Sequence, residues 1–60
     1  MQPLISITGS IIERNNNRYI SAYEPNAKAI VEAGGLPVVI PCDLDPQTLR
    51  AIYERVDGVL

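Results

Sequence analysis

Few side chains in this sequence are equipped to do chemistry. Cys42 is its one thiol, and no His accompanies it as a base. A reactive Cys needs a base or cationic surroundings to hold its thiolate, whereas Cys42 lies between Pro41 and Asp43. The Asp43 carboxylate opposes thiolate formation. Residues 43–46 separate Cys42 from the next helix, so no strand-to-helix nucleophile elbow is expected, and Cys42 reads as structural. Asp43 and Asp45 are spaced like a carboxylate pair for acid–base work or a hard cation. Asp45, however, precedes Pro46 as a helix N-cap, and Asp43 reads as a solvated loop charge. One Cys without His makes no zinc site.

Gly9 follows a strand, as a phosphate-binding glycine does. Ile11, Ile12, Glu13 and Arg14 then occupy positions where a dinucleotide fingerprint needs more glycine, and no Gly-Lys-Ser/Thr follows for a P-loop. Gly9 therefore reads as a strand-end turn, and no cofactor is expected. Arg14 and Arg18 bracket Asn15-Asn16-Asn17. Either guanidinium could clamp a carboxylate or phosphate, although loop arginines are more often solvated charges. Arg18 is the better placed, because Tyr19 beside it offers a wall and a hydroxyl. Arg18 and Tyr19 are the substrate-binding candidates.

The elements that must position these residues are clearer. Pro3-Leu4-Ile5-Ser6-Ile7-Thr8 reads as a strand with apolar groups on both faces, and Leu36-Pro37-Val38-Val39-Ile40 repeats the pattern, as parallel strands covered on both sides do. Residues 24–33 read as a helix. Tyr23, Ala27, Ile30 and Val31 form one stripe, Pro25 suits the first turn, and Gly34-Gly35 supplies a left-handed stop. A second helix opens at Asp45-Pro46, with Leu49, Ile52, Tyr53 and Val56 at helical spacing.

Asp57-Gly58-Val59-Leu60 then starts a third apolar run. The order is β-α-β-α-β, the N-terminal part of a doubly wound parallel α/β sheet. Residues 1–60 are accordingly expected to be a truncated portion of one domain, not a complete one. Alone, its exposed apolar edge gives it the means to associate as a homo-oligomer. Residues 9–20 are longer than most strand-to-helix connections and are expected to be a functional loop or an insertion. Within them, Ser10-Ile11-Ile12-Glu13 matches a capping box that could open one helical turn. Leaving a strand's carboxyl end, where open α/β sheets bind ligands, this segment should border a substrate site.

Composition removes other classes. With five Lys or Arg against seven Asp or Glu in 60 residues, the net charge is −2, which offers no footprint for nucleic acid or anionic lipid. The apolar run at residues 36–41 is far short of the ~20 residues that span a bilayer. Met1-Gln2-Pro3-Leu4 has no basic region leading into an apolar stretch. A cytoplasmic protein with neither nucleic-acid nor membrane partners is expected.

Three strings now stand in order: Pro3-Leu4-Ile5-Ser6-Ile7-Thr8-Gly9, then Ala29-Ile30-Val31-Glu32-Ala33-Gly34-Gly35-Leu36-Pro37-Val38-Val39-Ile40-Pro41, then Val56-Asp57-Gly58-Val59-Leu60. Together they resemble the N-terminal segment of the γ-glutamyl-γ-aminobutyrate hydrolase family, class I glutamine amidotransferase-like proteins also grouped as the C26 peptidases. The resemblance implies a flavodoxin-like fold and a Cys-His-Glu triad whose nucleophile sits on an elbow. Cys42 does not match that nucleophile. It follows the second strand and lacks the Gly-x-Cys setting, so no catalytic residue is expected before Leu60.

The resemblance further implies a hydrolase cleaving γ-glutamyl amide bonds in a small-molecule substrate, through an acyl-enzyme. Two other classes remain open: a non-catalytic α/β ligand-binding module, and an amidotransferase domain delivering ammonia to a synthase. A downstream elbow Cys with a His would favour an enzyme over the binding module. Ammonia-dependent synthesis would mark the third.

Overall fold

The first strand does not stop at Gly9. In the computed structural model, which describes residues 1–60, β1 runs Leu4–Arg14 and β2 runs Asn17–Ser21. Residues 9–20 are thus a β-hairpin arm, not an irregular loop. Its two-residue turn is Asn15-Asn16, with φ of 52° and 65°. A type I′ turn needs both central residues in this left-handed region, which Asn tolerates better than most side chains. Pairing is antiparallel from Arg14↔Asn17 back to Ser10↔Ser21. Ser10 to Glu13 are strand residues, so the capping-box match opens no helical turn.

Below the arm the sheet is parallel. The remaining elements are α1 (Glu24–Glu32), β3 (Leu36–Pro41), α2 (Pro46–Tyr53) and β4 (Gly58–Val59). β3 pairs with β1 from Leu4↔Leu36 to Gly9↔Pro41, and β4 pairs through Ile5↔Gly58 and Ser6↔Val59. The oxygens of Pro3 and Gly9 accept from β3 and the residue after it, while those of Leu4 and Ser6 accept from Asp57 and Leu60. Even-numbered residues of β1 therefore face β4. The same alternation carried to Ser10, Ile12 and Arg14 puts β2 on that edge too, with β3 alone on the other. The parallel part keeps the β-α-β-α-β order of a flavodoxin-like, doubly wound sheet. The arm makes the whole sheet mixed, where a purely parallel one was expected. β1 to β3 and β3 back to β4 cross in opposite directions, so right-handed crossovers place α1 and α2 on opposite faces.

Each helix has a chemical reason for its ends. At the close of α1, Gly34 adopts φ 92°. Gly34 N–H donates to Val31 O at 3.0 Å and Gly35 N–H to Ile30 O at 2.8 Å, the paired bonds of a Schellman stop. A Cβ on Gly35 would lie 2.9 Å from Ile30 Cγ2 and 3.3 Å from Ile5 Cγ1, so the helix end rests directly on β1. Of the expected stripe only Ile30 is buried, at 8% exposure, while Tyr23 and Val31 stay exposed. The helix is fully buried only at its last turn, with Ala27 half-buried before it. α2 is capped by Asp45, and Arg55 Nη1 donates to Ala51 O at 2.7 Å, satisfying a carbonyl near its end.

The buried centre lies along β1. Ser6 is 1% and Ile7 4% exposed, with Gly9 and Gly35 buried beside them. No helix is long and apolar enough to cross a membrane.

Candidate functional site

The arm and the turn after β3 meet at the carboxyl ends of β1's parallel half and β3. Gly9 makes the meeting close. A Cβ there would stand 2.5 Å from Ile20 Cγ2 and 2.8 Å from Val39 Cγ1, so the bare backbone lets these side chains fold across the base of the arm. Cys42 N–H donates to Gly9 O at 3.0 Å. Further along the arm, Arg18 Nη2 lies 3.5 Å from Asp43 Oδ2, with the two side chains 63% and 48% exposed. Asp43, expected to be a solvated loop charge, is about half exposed and also meets the arm at Arg18.

Arg18 and Tyr19 are not brought together. They are successive residues of β2, so their side chains leave opposite faces. Arg18 sits across from Glu13 and turns to Asp43; Tyr19 sits across from Ile12. An open concavity of about 500 Å³ beside Tyr19 includes Ile12, Arg14 and Asn15 in its lining, with Ile20, Ser21 and Ala22 at the base of the arm. Arg14 makes no side-chain hydrogen bond or ion pair. The sequence alone favours Arg18 as Tyr19's companion, yet the hairpin register gives that place to Arg14. The signal was available: once Asn15-Asn16 is a two-residue turn, Arg14 lies one step along the same face from the Ile12↔Tyr19 pair.

Cys42 is an exposed, free thiol in the turn leaving β3, and the helix N-terminus after it belongs to Asp45. Thr48 donates its amide to Asp45 Oδ2 at 3.0 Å and its hydroxyl to Asp45 Oδ1 at 2.6 Å. The Thr48 hydroxyl and then the Thr48 amide hold the Asp45 carboxyl below its ordinary pKa, with the ionised form as acceptor. Both oxygens are committed to the cap. No three His, Cys, Asp or Glu side chains gather as a metal-binding group. The carboxyl-end surface thus offers a tethered arm with a cation on one face and a phenol beside a second cation on the other. Such groups can bind and orient an anion; a nucleophile with a base is not among them.

Compared with known proteins, the family model described as Peptidase C26 matches residues 3–60. The match takes in the parallel strands, both helices and the whole arm. No curated protein matches the chain, and no solved structure does.

Proposed function

The chain belongs to the Peptidase C26 family, and on that premise we propose that it serves a cysteine-dependent hydrolase of γ-glutamyl amide bonds, like the γ-glutamyl-γ-aminobutyrate hydrolases. The carrying observation is the family match running unbroken through the strands, the helices and the arm. In this reading residues 1–60 are the N-terminal portion of one class I glutamine amidotransferase-like domain. The triad Cys, His and Glu come from outside these residues, because the sequence holds no His and Cys42 has no elbow. The thiolate attacks the γ-carbonyl carbon, backbone donors hold the oxyanion, and the amine leaves with a proton. Water then cleaves the thioester, releasing glutamate and restoring the thiol.

The contribution of this chain is to frame the substrate. The arm rises from the carboxyl end of the sheet, where ligands of open α/β folds bind, and Tyr19 gives it a wall and a hydroxyl. Arg18 leaves the opposite face of the arm from Tyr19, so the two do not line one pocket; on the Asp43 side Arg18 is the cation for a substrate carboxylate. Its exposed bridge to Asp43 is worth no more than about 1 kcal/mol, so an incoming carboxylate can replace Asp43 at little cost.

A panel of γ-glutamyl amines and glutamine, incubated with the full-length protein, tests this reading. Equimolar glutamate and free amine, abolished by thiol alkylation, is the expected result. Binding without turnover would replace it with the ligand-binding module. Nitrogen released only into a partner synthase's product would replace it with the ammonia-delivering domain.

A further inference from the structure

Among the strands of residues 1–60, β3 pairs with β1 on one side and with none on the other, and the placement of its prolines marks that outer side as an edge. Its register fixes which amides look outward. Leu36 N–H donates to Pro3 O at 2.8 Å, and Cys42 N–H to Gly9 O at 3.0 Å. In a parallel ladder a residue's N–H and C=O serve the same neighbour, and successive residues alternate between neighbours. Leu36, Val38, Ile40 and Cys42 therefore address β1. Pro37, Val39 and Pro41 address the open edge.

Both prolines fall on the outward set. Proline has no N–H, so the edge keeps Val39 N–H as its single donor, with a pyrrolidine ring two residues away on each side. The β1–β3 ladder loses nothing, because the missing donors aim away from it. Shifted by one residue, the same prolines would delete bonds to β1. The segment needs such protection: Leu36-Pro37-Val38-Val39-Ile40-Pro41 carries no charge, and Leu36 and Val39 are 44% and 45% exposed. An apolar, uncharged edge strand is a template for strand addition.

We propose that Pro37 and Pro41 are edge guards that close the outer side of β3 to an added strand, a second copy of this chain above all. Any homo-oligomer is thereby directed to another surface. This holds whatever reaction the protein performs.

The test replaces both guards in the full-length protein, Pro37→Val with Pro41→Val, and follows mass by light scattering across a concentration series. The double variant should self-associate, its average mass at least doubling over a range where the wild type stays constant. Adding Val39→Pro, which removes the last outward donor, should return the mass to the wild-type value. A double variant with unchanged mass, or association that survives Val39→Pro, overturns the proposal. Should the double variant not fold, single variants decide. Val39→Pro should keep the native circular dichroism and Val38→Pro should lose it, whereas equal damage from the two overturns the assignment of outward amides.

Discussion

Adding one methyl group at Gly9 probes the junction on which the arm depends. The Gly9→Ala Cβ would stand 2.5 Å from Ile20 Cγ2 and 2.8 Å from Val39 Cγ1, where ordinary contact begins at 3.4 Å. Ile20 must retreat by about 0.9 Å and Val39 by about 0.6 Å to restore that contact. Overfilling a packed site costs about 1–3 kcal/mol. Both neighbours are roughly half exposed and can turn outward, which places the cost in the lower part of that range. Removing a glycine from a strand returns about 0.5–1 kcal/mol. The net expectation is a loss of between about 0 and 1 kcal/mol in urea unfolding of the full-length protein. In an Ile20→Ala background the nearer methyl is gone, so the same substitution should cost less, with a coupling of about 0.5–1 kcal/mol. A clearly stabilising Gly9→Ala, or costs strictly additive with Ile20→Ala, would refute the close crossing at Gly9.

The turn, the cap and the tether give further expectations. Asn16→Val puts a β-branched residue at φ 65° and should cost about 1–2 kcal/mol, read as faster amide exchange confined to the arm, while Asn16→Gly should slow that exchange. Because the Asp45 carboxyl titrates lower folded than unfolded, its cap stabilises above the unfolded value of about 3.9; that stability is lost as pH falls through the lower folded value. Asp45→Ala should flatten this acid limb of the stability profile and Asp45→Glu should not restore it, because the longer side chain misplaces the acceptor. Arg18→Ala should raise KM for a γ-glutamyl substrate several-fold while kcat changes less. Unchanged kinetics on several γ-glutamyl amines would reduce Arg18 to a clasp on Asp43.

Most of the parallel framework was legible because each element carries its own chemistry. Asp45-Pro46 marks a cap, Gly34-Gly35 a left-handed stop, and two β-branched runs mark parallel strands, although only β1 is buried and β3 stays half exposed. The arm was not legible in the same way. Gly9 looks like punctuation because glycine usually ends a strand, whereas here it lets other side chains cross the backbone. Ser10 to Glu13 and Arg18 to Ser21 are largely exposed on both faces, so no hydrophobic alternation announces a strand. What the sequence did hold was symmetry, with Ile11-Ile12 and Tyr19-Ile20 equidistant from Asn15-Asn16. The site followed the arm's fate: with residues 9–20 read as a loop, Arg18 and Tyr19 seemed to share a surface, and strand alternation separates them.

The central proposal is that this chain frames a cysteine-dependent γ-glutamyl hydrolysis whose nucleophile is not Cys42. Acid quench of the full-length enzyme during turnover of a γ-glutamyl amide, followed by peptide mapping, locates the acyl thioester directly. The account expects a γ-glutamyl adduct on a cysteine outside residues 1–60, with Cys42 unmodified and a Cys42→Ser variant forming the same adduct. An adduct on Cys42, or turnover with no cysteine adduct at any quench time, would contradict it.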